Sequence, residues 1–138
     1  MKKRKTIEYR VFSRISRKKC AVFMRDDFKD LGDYDQVGRA LRKLAAKGTI
    51  MKIGYGLYSK TKVSRFSGRI TLARNLPEIA TEALRRLGIE TCPSTLESDY
   101  NAGRSTQVPT GRLIGIKNRI RRRIGYNGTY VSYERIPG

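Results

Sequence analysis

Residues 33–60, DYDQVGRALRKLAAKGTIMKIGYGLYSK, constrain the fold more than any other part of the chain. Asp33, with Gln36 three residues on, is a capping-box arrangement in which each side chain satisfies a backbone N–H at a helix start. From there Val37, Ala40, Leu41 and Leu44 fall on one stripe at about 100° per residue, with Tyr34 and Ala45 at its edge. Asp35, Arg39 and Arg42 fall on the opposite side, flanked by Gln36 and Lys43. Gly48 is placed to end the helix. Gly38 lies inside it, where glycine costs about 0.5–1 kcal/mol relative to alanine, and so predicts close approach of another backbone. Two β-prone runs follow, Ile50 to Ile53 and Leu57 to Ser59, around a Gly54-Tyr55-Gly56 turn suited to a tight hairpin.

The residues upstream complete a recognisable order. In TIEYRVFSRISRKK, Thr6 suits an N-cap, and Ile7, Val11 and Ile15 repeat every fourth residue with Phe12 beside them, predicting a first helix. CAVFM reads as a small strand, and RDDFKDLG as a short second helix with Asp26 and Asp27 at its start, Phe28 and Leu31 on one face and Gly32 at its end. Helix, short helix, capped helix and hairpin predict a winged helix-turn-helix over residues 1–60. A helix buried on one side can project long donors into a major groove about 12 Å wide, where Arg reads guanine and Gln reads adenine. The expected DNA-binding residues are therefore Asp35, Gln36, Arg39, Arg42 and Lys43 on the helix, with Tyr55 at the wing tip and Lys52, Lys60 and Lys62 near the flanking phosphates.

Charge points to the same class of partner. The chain of 138 residues carries 31 Lys+Arg against 12 Asp+Glu, a formal +19, with +11 on residues 1–60 and +8 on residues 61–138. Such a balance attracts polyanions, nucleic acid first and an anionic membrane as the weaker alternative. No apolar run approaches the roughly 20 residues that span a bilayer, and the charged start MKKRKTIEYRVF lacks the apolar stretch of a signal peptide, so a cytoplasmic location is expected. With no histidine, and Cys20 and Cys92 far apart, zinc sites and His-activated nucleophiles are not expected. The two thiols read as reduced and partly buried. The acids of the first half look like helix-start residues rather than a catalytic pair, so neither an enzyme nor a cofactor is expected.

The segment FMRDDFKDLGDYDQVGRALRKLAAKGTIMKIGYGLYSK resembles the N-terminal winged helix of the AbiEi antitoxin group, which has a similar short Asp-containing helix, RALRKL helix, KG and GYGLY hairpin. An often plasmid-borne subfamily adds a small second domain with a segment like STQVPTGR at residues 105–112, so the resemblance extends over nearly the whole chain. It implies a DNA-binding repressor of its own operon that counteracts a co-encoded nucleotidyltransferase-like toxin. By position it points to Gln36, Arg39, Arg42 and Lys43 on the recognition helix and Tyr55 in the wing.

Residues 61–74, polar and basic with little periodicity, read as a linker, and residues 75–138 as a small α+β domain ending in a β-hairpin. NLPEIATEALRRLG predicts a helix with Asn75 as N-cap, Pro77 in the first turn, Ile79, Ala80, Ala83, Leu84 and Leu87 on one stripe, and Gly88 as stop. ESDYNAGRSTQVPTGR is turn-rich, lacks the Gly-Lys-Ser/Thr ending of a phosphate loop, and reads as loop or edge strand. In RIRRRIGYNGTYVSYERI, Asn127-Gly128 predicts a two-residue hairpin turn, pairing Ile124 with Val131, Arg122 with Tyr133 and Arg121 with Glu134. Arg119, Arg121, Arg122 and Arg123 are the densest cationic cluster. Three roles are open for it: charge that guards an edge strand, a second basic surface against phosphates, or a patch for an acidic partner protein. The whole chain thus reads as an α+β DNA-binding regulator, with an RNA-binding or ribosome-associated protein as the alternative.

Overall fold

The computed structural model describes residues 6–137. Residues 1–5, which carry much of the charged start, lie outside the described residues. The fold is mixed α+β, and the chain divides into two compact units between Arg74 and Asn75.

In the first unit, α1 (Ile7–Arg17) starts at Thr6, whose hydroxyl accepts the Tyr9 amide at 3.1 Å. Val11 and Ile15 are buried, while Phe12 points outward and is 41% exposed. The expected small strand is β1 (Val22–Phe23). The short second helix is only a 3-10 turn, Arg25–Phe28. Arg14 braces it: its guanidinium donates to the Asp27 carbonyl at 2.9 Å and grips the Asp30 carboxylate at 2.5 and 2.8 Å. Phe28 is pinned in the core beside Phe23, ring centroids 6.0 Å apart.

The hydrogen bonds from Arg14 hold the Asp30 carboxyl well below the usual range, at about 2. Stability linked to this group is therefore complete above the ordinary aspartate value of about 3.9 and is lost as pH falls towards the folded value. Because Asp30 is exposed the effect is small. Acid unfolding of wild type and Asp30→Asn should differ at neutral pH and converge as pH falls towards about 2.

Helix α2 (Tyr34–Ala46) has the expected reciprocal cap, with Asp33 accepting from the Gln36 amide at 2.8 Å and Gln36 Oε1 accepting from the Asp33 amide at 3.0 Å. Val37, Ala40, Leu41 and Leu44 are buried against Val11, Ile15, Phe23, Phe28, Ile50 and Tyr58. The close approach at Gly38 is real, but it comes from a side chain. A Cβ there would lie 2.5 Å from an Arg25 guanidinium nitrogen, and that guanidinium stacks 3.8 Å from the centre of the Tyr34 ring.

Strands β2 (Ile50–Gly54) and β3 (Leu57–Val63) form the expected antiparallel hairpin, and β1 joins on the other side of β3, giving the order β1-β3-β2. Residues 61–74 are not a linker. β3 runs on to Val63 and pairs with β4 (Ile70–Leu72), in the register Thr61 to Leu72, Lys62 to Thr71 and Val63 to Ile70. The Thr61 hydroxyl donates to the carbonyls of Gly48 and Thr49 at 2.9 and 3.0 Å, tying this second hairpin to the turn that ends α2. Its strands are mostly exposed, so no buried alternation marks them in the sequence.

The second unit opens with α3 (Leu76–Arg86), capped by Asn75, which accepts the Glu78 amide at 2.9 Å, and buries Ile79, Ala80, Ala83 and Leu84. β5 (Thr91–Cys92) leads into α4 (Thr95–Asn101), a helix where loop or strand was expected. None of its residues is fully buried, so no apolar stripe announces it. Two contacts hold its start: Ser94 accepts the Glu97 amide at 3.2 Å, and the distant Glu134 carboxylate accepts the Thr95 amide at 2.6 Å.

The terminal ribbon is also different from expectation. β7 (Gly125–Tyr126) and β8 (Thr129–Tyr130) flank Asn127 and Gly128, whose φ values of 48° and 76° are those of a type I′ turn. The Val131 amide donates to the Ile124 carbonyl at 3.0 Å, continuing the hairpin by one step. Beyond it the chain turns away: β9 (Ser132–Arg135) pairs in parallel with β6 (Leu113–Ile116), setting Tyr133 beside Ile114 and Glu134 beside Gly115 rather than beside Arg122 and Arg121. The Tyr133 hydroxyl still donates to the Arg122 carbonyl at 2.9 Å, and burial pushes its pKa up to about 12. At Gly125 a Cβ would overlap the Thr129 carbonyl oxygen and lie 2.7 Å from Tyr130 Cα. Gly125→Ala should therefore open the hairpin, seen as loss of hydrogen-exchange protection at the Val131 amide; protection equal to wild type would contradict this.

Candidate nucleic-acid interface

The outer face of α2 is set by its inner face. With Val37, Leu41 and Leu44 buried, the 3.6-residue period turns Asp35, Arg39 and Arg42 outward, and all three are exposed, as are Gln36 and Lys43 on the flank. Thr6, Ile7 and Glu8 at the start of α1 line a shallow groove with Gln36, Arg39, Ala40 and Lys43. Glu8 also pairs with Lys47 at 2.7 Å. Gln36 is less available than its position suggests. Its carbonyl oxygen is held by the helix cap, and bidentate reading of adenine would require both ends of the amide.

At the β2–β3 turn, Tyr55 is 80% exposed and Gly56 takes φ 70°. Lys52 and Lys62 are exposed on the flanking strands. Lys60 is not with them. It is half-buried, and its ammonium donates to the Lys18 carbonyl and lies 6.0 Å from the centre of the Phe23 ring, an internal contact that Lys52 and Lys62 do not share.

Sequence reasoning passed over the strongest part of this surface. Between Asp35 and Glu78 there is no acidic residue, whereas ten are Lys or Arg. That absence is a readable signal, and it includes the β3–β4 loop, where Arg65, Phe66 and Arg69 are exposed. Residues 1–74 hold 21 basic and 6 acidic residues, and residues 75–138 hold 10 and 6, so net charges of +15 and +4 fall on the two units. Four acids of the first unit are engaged locally: Glu8 with Lys47, Asp30 with Arg14, Asp33 in the α2 cap, and Asp27 accepting the Met24 amide at 2.8 Å. The first unit thus carries most of the chain's excess positive charge.

In the second unit Arg119, Arg121, Arg122 and Arg123 are exposed on an irregular stretch preceding β7. They do not guard a strand edge, because β9 pairs with β6 and leaves this stretch without a ladder. Buried Ile124 anchors it, and the Arg123 guanidinium lies 5.2 Å from the centre of the Tyr130 ring. Cys20 and Cys92 are half-buried free thiols, one in each unit. Among the described residues no His, Cys, Asp and Glu side chains gather in threes that would hold a metal, and no helix is long and apolar enough to cross a membrane.

No curated protein and no solved structure matches the chain. Over residues 10–125 it matches a family of unknown function, DUF6088, and belongs to it.

Proposed function

We propose that this member of the DUF6088 family is a sequence-specific double-stranded-DNA-binding regulator whose first unit works as a winged helix-turn-helix. The observation that carries the reading is α2, buried along Val37, Leu41 and Leu44 and presenting Arg39 and Arg42 on its opposite, exposed face. The sheet order β1-β3-β2 behind it, the tight β2–β3 turn and the acid-free run support it. Arg39 and Arg42 read guanine edges in the major groove, and Asp35, on the same stripe, accepts from cytosine. Lys43, Lys52 and Lys62 hold phosphates, with Tyr55 against the backbone beside the groove.

An autorepressing antitoxin role follows from the AbiEi resemblance, and it assigns the arginine cluster of the second unit to a co-encoded nucleotidyltransferase-like partner. An RNA-binding role explains the charge equally well but leaves the ordered outer face of α2 without a purpose, since RNA readers rely mainly on shape and single-strand stacking.

Arg39→Ala and Arg42→Ala should each relax preference at particular base pairs by about 1–3 kcal/mol, while Lys52→Ala and Lys62→Ala weaken all duplexes alike. Selection from a random duplex pool measures both. Loss of specific and non-specific binding in equal measure in the arginine variants would refute the helix-face assignment. Tighter binding to folded RNA than to duplex DNA at equal salt would refute the function itself. Replacing Arg121, Arg122 and Arg123 together by glutamine should leave duplex binding unchanged and abolish co-purification of the co-encoded partner; a reduced salt slope would instead make the cluster a phosphate surface.

A further inference from the structure

We infer that Phe66, at the tip of the β3–β4 hairpin, is an apolar wedge that enters a base step of bound duplex DNA and bends it, an inference that rests on the DNA-binding reading above. Phe66 has a relative exposure of 102%. A phenylalanine so placed adds nothing to the core, and it is not the lone exposed apolar side chain of its hairpin. On the same hairpin Val63, 64% exposed, and Ile70, 45% exposed, are register partners. Lys62, Arg65 and Arg69 flank it.

The tip is a built turn. The Ser64 amide donates to the Arg69 carbonyl at 2.8 Å, and the Ser64 carbonyl accepts from Gly68 at 2.9 Å. The Ser64 hydroxyl accepts from the amide of Phe66 at 3.2 Å. This network fixes the backbone that carries the ring. At its base the hairpin is tied to the end of α2 by the Thr61 hydroxyl and by Ile70, whose Cδ1 would meet a Cβ on Gly48 at 2.5 Å. The wedge and the arginine face of α2 thus belong to one unit.

Charge chooses the occupant. The hairpin lies within the stretch from Gln36 to Pro77 that has no acidic residue, so it offers an anion attraction without local repulsion. An exposed aromatic between cations fits a stack of bases lined by phosphates: the cations hold the backbone while the ring partly unstacks one step. A protein partner has less use for so uniform a charge, and an anionic lipid surface, which would share this attraction, is separated from DNA by the vesicle arm of the test.

The chain contains no tryptophan, so Phe66→Trp introduces a single indole as reporter. With a mixed-sequence duplex of about three helical turns, its emission should be quenched on binding, and end-to-end energy transfer should report a bend of about 20–90°. Phe66→Ala should keep the far-UV spectrum and the salt slope, abolish the bend and weaken binding about tenfold; Phe66→Leu, which retains a wedge without a π-face, should keep most of the bend. Duplex binding with an unquenched indole and the same bend in Phe66→Ala overturns the inference while leaving the DNA-binding reading intact. A blue-shifted indole on phosphatidylserine vesicles, without quenching by DNA, overturns it in favour of a lipid surface. Absence of duplex binding by the wild-type chain at low salt removes both.

Discussion

Raising the salt from about 50 to about 200 mM is expected to weaken duplex binding by roughly 500-fold, with a slope of log affinity against log salt near −0.9 for each phosphate contacted. Arg39, Arg42, Lys43, Lys52 and Lys62 are exposed on the proposed face, and Arg65 and Arg69 extend it along the β3–β4 hairpin. With Arg39 and Arg42 on base edges, about five phosphate contacts from the rest of this set give the stated factor. The structure makes the slope divisible. Lys62→Ala and Arg69→Ala should each reduce it by about one unit, because each removes one neutralised phosphate. Lys60→Ala should leave it unchanged, because that ammonium already donates to the Lys18 carbonyl. Titration by fluorescence anisotropy at a series of salt concentrations measures all of these. A flat response in the wild-type chain would end the electrostatic case, and an equal loss of slope in the Lys60 variant would restore Lys60 to the interface.

Phe28→Ala should destabilise the first unit by about 3–5 kcal/mol, the range for deleting a fully buried aromatic side chain and leaving its cavity. Phe28 is wholly inaccessible, packs against Phe23, and closes the core around Val11, Val37 and Leu41. It also lies on a single 3-10 turn that has little local stability of its own, so the turn depends on this anchor. Phe12→Ala provides the contrast: on α1 its ring is partly exposed, and its removal should change stability by no more than about 0.5 kcal/mol. Chemical denaturation followed through amide signals of α2 distinguishes the two. Similar losses in both variants would mean that the first-unit core is not organised around Phe28 as described.

Elements stabilised within a few residues of chain are readable from the amino-acid order. Asp33 and Gln36 close the α2 cap as their spacing requires, Asn75 and Pro77 start α3, and Asn127-Gly128 makes the turn between β7 and β8. The inward and outward faces of α2 were legible for the same reason, since periodicity alone decides which residues share a side. Other features depend on contacts between distant parts of the chain. Lys60 reads as a surface cation until the carbonyl of Lys18, 42 residues earlier, takes its ammonium. Gln36 reads as a base donor until its own cap occupies the amide oxygen. Residues 61–74 read as a linker because most of their side chains face water and carry no apolar code, yet backbone pairing between β3 and β4 orders them. Likewise β9 had an obvious local partner across the Asn127-Gly128 turn and instead took β6, which lies about 20 residues earlier. Local capping and turn chemistry are written in neighbouring residues, whereas the choice of a strand partner or a distant carbonyl depends on which groups the folded core brings within hydrogen-bonding range.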